Sequence, residues 1–395
     1  MRPRIVIIGA GIAGLTAAAI LSRHADVTVA ERASDPGGKI ETRDIGGQPV
    51  DCGPTVLTLR SVFETIFREA GAVLDDHLTL NPADELARHF WSGGAALDLY
   101  SDLDRSYEAV AQFSSRGEAE KYLAFSNMAG RVFETLSSSF MLAPEPDFFK
   151  LLTSRSAVQL LGLNPFESLW QVLSKQFDDP RLIQLFARYA TYCGASPFLC
   201  PGTLMLVAHV ERLGVWKIPG GLTLLAQALA RLAEENGASF EYGAHVEEVE
   251  FTAGKPSGVR LAGGRRIAAK AVICNGDVAA LAGGEFGRNA ARALPSRSDT
   301  RSQSAMTWTF AAGQDGPALS HHNVFFSDDY KAEFDAVFDE RAVPGDPTVY
   351  LCAPDSGGPQ PYFSLINAPA DGDTHTYSDE ETAQCHARMT RRLQS

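Results

Sequence analysis

The fold of this chain is decided by residues 5–21, which read IVIIGAGIAGLTAAAIL. The apolar run at the start of the stretch is typical of a strand that is covered on both faces in a parallel sheet. Apolar residues at helical spacing follow a glycine triplet. In that triplet Gly9 permits a tight turn, Gly11 lets backbone approach a pyrophosphate, and Gly14 allows helix and strand to pack closely. The unpaired amides at the helix start offer a site for the anion, so the stretch predicts a dinucleotide-binding unit.

A second predicted strand supports this interpretation. It covers residues 26–30 and leads into Glu31, twenty residues after Gly11. A carboxylate at this place accepts hydrogen bonds from ribose hydroxyls and disfavours a 2′-phosphate. The alternative is a secretory signal, because Arg2 and Arg4 precede the apolar stretch. A cleaved signal needs neither regularly spaced glycines nor a following strand that ends in an acidic residue, so we favour the dinucleotide.

The composition indicates a globular protein that is long enough for two domains. The 395 residues are 45% hydrophobic and 21% charged, with a net charge of −13. This charge argues against nucleic acid as a partner and against a purely electrostatic contact with anionic lipid. The six cysteines form no CxxC pair, and the nine histidines show no HExxH spacing. We therefore expect a reduced, cytoplasmic protein that holds no metal.

Two adjacent histidines, His321 and His322, suggest a metal ligand or a general base. Adjacent side chains of a strand point to opposite faces, so we do not expect the two rings to share one ligand set. A structural or hydrogen-bonding role is favoured for both.

The remaining pattern predicts a discontinuous two-domain chain. We expect residues 1–75 and 214–285 to form the dinucleotide domain, and residues 76–213 and 286–395 to form a second domain. The second domain begins with short strands and a mainly helical part, and further strands follow near its end. The predicted strands of that domain are residues 78–80, 89–91, 96–100, 302–310, 323–326, 347–352 and 362–366, and the helical part is 103–177.

Several apolar runs in the second domain have two interpretations. They belong to an ordinary core, or together they line an apolar substrate tunnel or dip into a bilayer. None reaches the roughly 18 apolar residues of a spanning helix, so membrane attachment would be peripheral. The runs are residues 140–142, 148–152, 160–163 and 203–207.

Two motifs identify the dinucleotide by resemblance. The turn Gly37-Gly38-Lys39 and the stretch Asp51-Cys-Gly-Pro-Thr55 resemble the flavin-binding signature of the amine-oxidase and carotenoid-desaturase superfamily. The resemblance implies FAD as cofactor, with Glu31 on the adenosine ribose, the Gly-Gly-Lys turn along the FAD, and Val246 meeting the adenine. It also implies an α/β fold: an FAD-binding Rossmann-like domain of the glutathione-reductase type with a second, α+β substrate domain. The expected cofactor-binding residues are Gly9, Gly11, Ile12, Ala13, Gly14, Glu31, Arg32, Gly38, Lys39, Pro54, Thr55, Val56 and Val246.

Over essentially its whole length the chain resembles bacterial carotenoid desaturases of the phytoene-desaturase type. Residues 51–60, 188–197 and 203–209 are most similar to the 1-hydroxycarotenoid 3,4-desaturase branch, also called hydroxyneurosporene or methoxyneurosporene dehydrogenase. This resemblance implies hydride removal from an acyclic 1-hydroxy- or 1-methoxy-carotenoid to the flavin, with a new C-3,4 double bond. The possible substrate contacts are Arg188, Tyr189 and His209, each with a core or surface role as the alternative. No residue is singled out as catalytic base.

Other functions stay open at this point. Phytoene desaturase is the nearest alternative, followed by an amine-oxidising flavoenzyme and by an inactive remnant that binds carotenoid or a partner desaturase. Family members usually finish with a glycine- and proline-rich stretch that passes the flavin and a last helix, and the sequence stops at Ser395 before either. We therefore expect a truncated chain. The resemblance also implies peripheral association with the cytoplasmic side of the cell membrane, and oxygen or a quinone as electron acceptor.

Overall fold

The computed structural model of the protein describes residues 2–137, 141–142, 167–294, 301–313, 316–353 and 360–395. Its strands are β1 (Arg4–Ile8), β2 (Asp26–Ala30), β3 (Thr42–Ile45), β4 (Gln48–Asp51), β5 (Asn81–Pro82), β6 (Glu85–Trp91), β7 (Ala95–Tyr100), β8 (Trp216–Lys217), β9 (Ser239–Glu241), β10 (Val246–Thr252), β11 (Lys255–Leu261), β12 (Arg266–Ala268), β13 (Ala271–Cys274), β14 (Ser304–Ala312), β15 (His322–Phe325), β16 (Val349–Cys352) and β17 (Gln360–Ala368). Its α-helices are α1 (Ile12–Leu21), α2 (Arg60–Glu69), α3 (Leu74–His77), α4 (Leu103–Phe113), α5 (Arg116–Leu136), α6 (Leu169–Gln176), α7 (Pro180–Ala187), α8 (Leu206–Arg212), α9 (Thr223–Glu235), α10 (Val278–Gly283), α11 (Arg288–Ala291), α12 (Tyr330–Asp335) and α13 (Asp379–Leu393).

The chain divides into two compact units, each built from two segments. Unit 1 comprises Met1–Asn81 and Trp216–Thr300, and unit 2 comprises Pro82–Val215 and Arg301–Ser395. From the sequence alone, we placed the corresponding boundaries after residues 75, 213 and 285. Both units are therefore discontinuous in sequence.

Unit 1 is organised around a parallel sheet with the strand order β13-β1-β2-β9. Side chains along β1 alternate between its two faces. Ile7 belongs to a core with residues of α1 and α9, whereas Val6 and Ile8 belong to a second core with residues of β10 and β11. The sheet is thus covered on both sides, and this explains why β1 is apolar at successive positions.

Two further sheets of unit 1 are smaller. Strands β10, β11 and β12 form an antiparallel sheet, in which β11 and β12 are neighbours in sequence and pair as a hairpin. Strands β3 and β4 form an antiparallel pair that ends at Asp51. Helix α2 packs its apolar face, Phe63, Ile66 and Phe67, into the core shared with α1 and α9.

Unit 2 contains a six-stranded sheet with the order β14-β17-β16-β15-β6-β7. Its neighbouring strands are antiparallel except for β15 and β6, which run parallel. Beside the sheet the unit has helices with a buried aromatic cluster, in which the Phe186 ring lies 4.6 Å from that of Phe125 and 5.2 Å from that of Phe177. The predicted class, an α/β domain with an α+β domain, is confirmed.

The strand predicted at residues 78–80 is wrong. These residues are not in a strand, and Leu78 and Leu80 are buried in the helix-rich core of unit 1. The strand of this region is β5, which begins at Asn81. A short apolar run shows that residues are buried but not whether their backbone is paired with another strand, so this error has a physical cause.

The apolar runs at residues 148–152 and 160–163, and Phe140, lie outside the described residues. The run 203–207 belongs to unit 2, where Met205, Leu206 and Val207 are buried. Leu142, in contrast, is 58% exposed. None of the helices that the structure describes combines the length and the apolar character needed to cross a membrane.

Candidate functional site

A cavity of about 870 Å³ lies in unit 1 at the carboxyl end of β1. This volume is in the range of pockets that hold a cofactor or another small molecule. All the predicted cofactor-binding residues line it except Ala13, Gly14 and Thr55, which are their chain neighbours. The predicted cofactor-binding residues that line the cavity are Gly9, Gly11, Ile12, Glu31, Arg32, Gly38, Lys39, Pro54, Val56 and Val246.

The glycine turn forms one wall of this cavity. Gly9 has a φ of 93°, a left-handed conformation that glycine adopts readily, and its N–H donates to the Ala30 carbonyl over 2.9 Å. A Cβ on Gly14 would lie 2.1 Å from the Gly9 carbonyl oxygen, so no larger residue fits between helix and turn. Gly11 is the N-cap residue of α1 and has no side chain to cap the helix, so the N–H groups of the first turn remain available to an anion.

Glu31 lies at the end of β2 and is 7% exposed. Its carboxylate accepts the Ala10 N–H over 2.6 Å and the Ala33 N–H over 2.8 Å. These bonds fix the carboxylate beside the glycine turn. Because a carboxylate has about four acceptor positions, it keeps capacity for the hydroxyls of a ribose. The cavity therefore fits the adenosine part of a dinucleotide.

The second flavin motif, Asp51 to Thr55, contacts two residues that line the cavity, Leu222 and Lys39. Asp51 accepts the Leu222 N–H over 2.8 Å at the start of α9 and the Thr42 hydroxyl over 3.1 Å. Burial raises the pKa of Asp51, although these two hydrogen bonds oppose the shift. A Cβ on Gly53 would lie 1.9 Å from the Lys39 carbonyl oxygen, so the motif packs directly against the Gly-Gly-Lys turn.

Asn275 is a cavity residue that the sequence prediction did not include. It follows β13, and its side-chain amide donates to the Gly9 carbonyl over 3.3 Å. A Cβ on Gly11 would lie 3.1 Å from the same amide nitrogen. Ligands of parallel sheets bind beyond the carboxyl ends of adjacent strands, so a polar residue directly after a predicted strand was the available signal.

The predicted substrate contacts Arg188 and Tyr189 are buried in unit 2 and meet at Glu211 of α8. The Tyr189 hydroxyl donates to Glu211 over 2.7 Å, and the guanidinium of Arg188 lies 3.4 Å from its other oxygen. The Tyr192 hydroxyl also donates to Glu211. Burial, followed by the Glu211 charge, raises the pKa of Tyr189 well above its ordinary value. For Arg188 burial is the largest effect and acts to lower the pKa, but the Glu211 charge together with Tyr192 and Tyr189 outweighs it, and the net shift is upward.

His209 does not join this cluster. It lies two residues before Glu211 on α8, and side chains at that spacing do not face each other. Its ring packs on Phe133 of α5 with centroids 5.1 Å apart, and Nδ1 lies 3.1 Å from a guanidinium nitrogen of Arg212. Burial, with the Arg212 charge, lowers the pKa of His209. Glu211, which the sequence prediction missed, was visible only as an acidic residue among the apolar positions of a helix.

His321 and His322 are not both in a strand, contrary to the assumption that placed their rings on opposite faces. Strand β15 begins at His322, so His321 lies outside the strand. The two rings are 4.6 Å apart, and both lie beside Cys352 of β16. The adjacent-face rule applies only to consecutive residues of one strand.

A second cavity, of about 630 Å³, lies in unit 2. Aromatic and aliphatic side chains of the six-stranded sheet form much of its wall. They include Phe90, Trp91, Phe310, Phe325, Leu351 and Tyr362.

The glycine turn, the buried glutamate and the doubly covered parallel sheet define a dinucleotide-binding oxidoreductase fold. The family of flavin-containing amine oxidoreductases matches residues 12–384. The chain belongs to this family and is an FAD-dependent oxidoreductase. FAD, the predicted cofactor, is thereby confirmed.

Individual relatives show which branch of this family the chain is similar to. The chain is 45% identical to a hydroxyneurosporene desaturase of Rubrivivax gelatinosus, across 98% of the chain and 76% of that protein. It is 41% identical to a hydroxyneurosporene desaturase of Cereibacter sphaeroides, across 99% and 80%. A zeta-carotene-forming phytoene desaturase of Myxococcus xanthus is 33% identical, across 89% and 68%. The resemblance to carotenoid desaturases is confirmed.

Solved structures agree with the fold. An oxidoreductase from Methanosarcina mazei matches with a TM-score of 0.60 at 16% identity, over 99% of this chain and 83% of that one. A putrescine oxidase bound to putrescine matches with a TM-score of 0.58 at 16% identity, over 100% and 82%. Identities this low show a shared fold and carry no information about substrate.

Proposed function

We propose that this protein is an FAD-dependent carotenoid desaturase that introduces the C-3,4 double bond into acyclic 1-hydroxy- or 1-methoxy-carotenoids. One observation carries the proposal: relatives at 38–45% identity over nearly the whole chain are hydroxyneurosporene desaturases in three different bacteria. A 1-hydroxycarotenoid 3,4-desaturase is 30% identical. The zeta-carotene-forming phytoene desaturase of Myxococcus xanthus, at 33% identity, is less similar than the three hydroxyneurosporene desaturases.

In this proposal the residues of unit 1 bind and orient the FAD. The first-turn amides of α1 receive the pyrophosphate, Glu31 accepts the ribose hydroxyls, and the backbone at Val246 meets the adenine. Arg32 and Lys39 bring positive charge to the same cavity. FAD, when bound, supplies the acceptor for the hydride that leaves the substrate.

Unit 2 supplies an apolar environment suited to a polyene. Aromatic and aliphatic side chains form much of the wall of its cavity, although Arg392, Gln394 and Ser395 also line it. Burial of apolar surface is the main attraction available to a hydrocarbon substrate. The protein then has to exclude water and hold one C–H bond in position.

We place the polar end of the substrate near the Glu211 cluster, which contains the proposed contacts Arg188 and Tyr189. Glu211 holds both side chains in place: the Tyr189 hydroxyl donates its proton to Glu211 and can accept a hydrogen bond from a substrate hydroxyl, whereas the Arg188 guanidinium has further N–H groups to donate. Tyr192 is 42% exposed and extends the cluster to the surface of unit 2. His209 remains a proposed contact on the opposite side of α8. A site that hydrogen-bonds a terminal oxygen leaves its own polar groups unpaired when a plain hydrocarbon enters.

We also propose that the protein associates peripherally with the cytoplasmic side of the cell membrane through apolar surface. The support is the lipophilic substrate class and a net charge of −13, which disfavours attraction to anionic lipid. Salt screens charges but strengthens apolar contacts, so the protein should stay with the membrane fraction in high salt and leave it in mild detergent. Release by salt alone contradicts this proposal.

The substrate is tested by absorbance. The purified protein, supplied with FAD, is incubated separately with 1-hydroxyneurosporene and with phytoene, in the presence of oxygen or of a quinone under anaerobic conditions. We expect conversion of the hydroxylated substrate to a product that absorbs at longer wavelength, and no conversion of phytoene. Faster conversion of phytoene identifies a phytoene desaturase. An FAD-loaded protein that converts neither carotenoid but oxidises amines refutes the proposal.

A further inference from the structure

We propose that His321, His322 and Cys352 form a binding site for a borderline-soft transition-metal cation of the Zn²⁺ class on the sheet of unit 2. One ligand atom from each residue lies within 4.8 Å of the other two. The site belongs to unit 2 and is independent of the cavity in unit 1. It also does not depend on the proposed substrate.

Strand pairing brings two of the three ligands to one face of the sheet. His322 of β15 stands directly opposite Cys352 of β16 in the antiparallel register. Directly opposite residues of an antiparallel pair project their side chains to the same side. His322 is 3% exposed and Cys352 is 7% exposed, so both donor groups are held by the surrounding packing.

A local turn brings the third ligand to the same place. The Asn323 side chain accepts the Ser320 N–H over 2.9 Å and donates to the Ser320 carbonyl over 2.7 Å. This closed turn bends the chain out of the strand just before His322. The Ala353 N–H donates to the His321 carbonyl over 2.9 Å, and this bond holds His321 beside Cys352.

The spacing suits a tetrahedral ion. Zn–N bonds of about 2.0 Å and Zn–S bonds of about 2.3 Å imply distances of roughly 3.3 Å between the two nitrogens and roughly 3.5 Å between nitrogen and sulfur. The Cys352 Sγ and His321 Nε2 atoms are already 3.7 Å apart. His321 is only partly buried and lies outside the strand, so rotation of its side chain closes the wider distances.

A neighbouring tyrosine orients the second histidine. The Tyr350 hydroxyl lies 2.7 Å from Nδ1 of His322. A metal-binding histidine uses its other ring nitrogen for such a hydrogen bond, which fixes the tautomer and ring direction. Nε2 of His322 is then the metal-binding nitrogen, and Tyr350 is a positioning residue.

The donor set selects the class of cation. One thiolate and two imidazoles favour zinc, copper or cobalt, whereas magnesium and calcium prefer oxygen ligands. Three protein ligands leave a fourth position for water or a small anion. Because the thiol loses its proton on binding, affinity should rise with pH.

The test uses Co²⁺ as a spectroscopic probe on the purified full chain after treatment with a chelator. We expect one equivalent to bind and to produce a sulfur-to-cobalt charge-transfer band, which excess Zn²⁺ removes. Cys352→Ala should abolish the band, and Cys193→Ala, at an exposed cysteine elsewhere in unit 2, should retain it. Tyr350→Phe should weaken binding about 10- to 100-fold if the tyrosine orients a ligand.

X-ray absorption of the Zn²⁺-loaded wild-type protein tests the proposed site without any variant, because the spectrum identifies the atoms bound to the metal. One sulfur and two imidazole nitrogens support the site. A shell of oxygen ligands, no binding near one equivalent, or a band that survives in Cys352→Ala overturns it.

Discussion

Gly14→Ala tests the packing that shapes the cavity of unit 1, in which we propose that FAD binds. Gly14 lies in α1 with helical backbone geometry, so alanine meets no conformational obstacle there and improves helix propensity by about 1 kcal/mol. The new Cβ, however, would stand 2.1 Å from the Gly9 carbonyl oxygen and 2.9 Å from the Asn275 amide nitrogen. Ordinary contact begins at 3.4 Å, so helix and turn must separate by roughly 1.3 Å.

The steric cost should outweigh the propensity gain. Overpacking of this kind costs about 1 to 3 kcal/mol, and a backbone oxygen cannot rotate away, so we expect the upper part of that range. The net loss in unfolding free energy is then about 1 to 2 kcal/mol. The same displacement moves the first-turn amides of α1 relative to the turn, and hydrogen bonds confined to 2.7–3.2 Å do not tolerate it. We expect FAD affinity to fall at least about tenfold, which corresponds to about 1.4 kcal/mol.

The assay measures FAD released per chain after gel filtration, together with urea unfolding. Gly117→Ala in α5 is the matched control, because the nearest atom to its new Cβ is the Ser115 hydroxyl at 3.7 Å. That variant should keep its FAD and should be unchanged or up to about 1 kcal/mol more stable. Wild-type FAD content and stability in Gly14→Ala would refute the steric reasoning.

Three further substitutions test other parts of the molecule. Glu31→Ala should lower FAD content after gel filtration and should cost about 1 to 3 kcal/mol in urea unfolding, because the buried Ala10 N–H loses its acceptor. Unchanged FAD content would argue against the ribose role. Glu211→Gln should lower the unfolding free energy by about 3 to 5 kcal/mol, since the buried Arg188 guanidinium loses its counter-charge. A loss below about 1 kcal/mol would contradict this. Burial raises the pKa of Glu333 above its ordinary value of 4.5, so the folded state holds the proton more tightly than the unfolded state does. Wild-type stability should therefore decline as pH rises above about 4.5, and Glu333→Gln should decline less in melting temperature over the same pH series. Parallel pH profiles would exclude Glu333 as the cause.

The nucleotide-binding half of the molecule could be predicted because its determinants are neighbours in sequence. Gly9, Gly11 and Gly14 specify a turn and a helix start within ten residues, and Glu31 ends the next strand. Each requirement concerns residues close together in sequence. The turn needs its backbone conformation, the backbone must approach the pyrophosphate closely, and one hydrogen-bond acceptor must lie beside the turn. Gly9, Gly11 and Glu31 line the cavity of unit 1, and Gly14 packs against the Gly9 carbonyl.

Prediction failed where burial had to be distinguished from strand pairing. The apolar residues Leu78 and Leu80 are buried against helices, and a run of this length is compatible with either environment. The rule of alternating faces also did not apply at His321, because the strand begins at His322 and a side-chain turn made by Asn323 lies just before it.

The amino-acid sequence by itself determined the FAD-binding turn, the fold class and the similarity to carotenoid desaturases, since these depend on short-range backbone requirements and residue order. Only the tertiary structure decided which distant residues meet. Asn275 reaches the Gly9 turn because β13 pairs with β1, Glu211 receives Arg188 and Tyr189 because α8 packs beside the turn that follows α7, and Cys352 faces His322 because β15 and β16 pair in one register. Such contacts depend on how strands and helices that are far apart in sequence pack together, and no local sequence pattern predicts that packing.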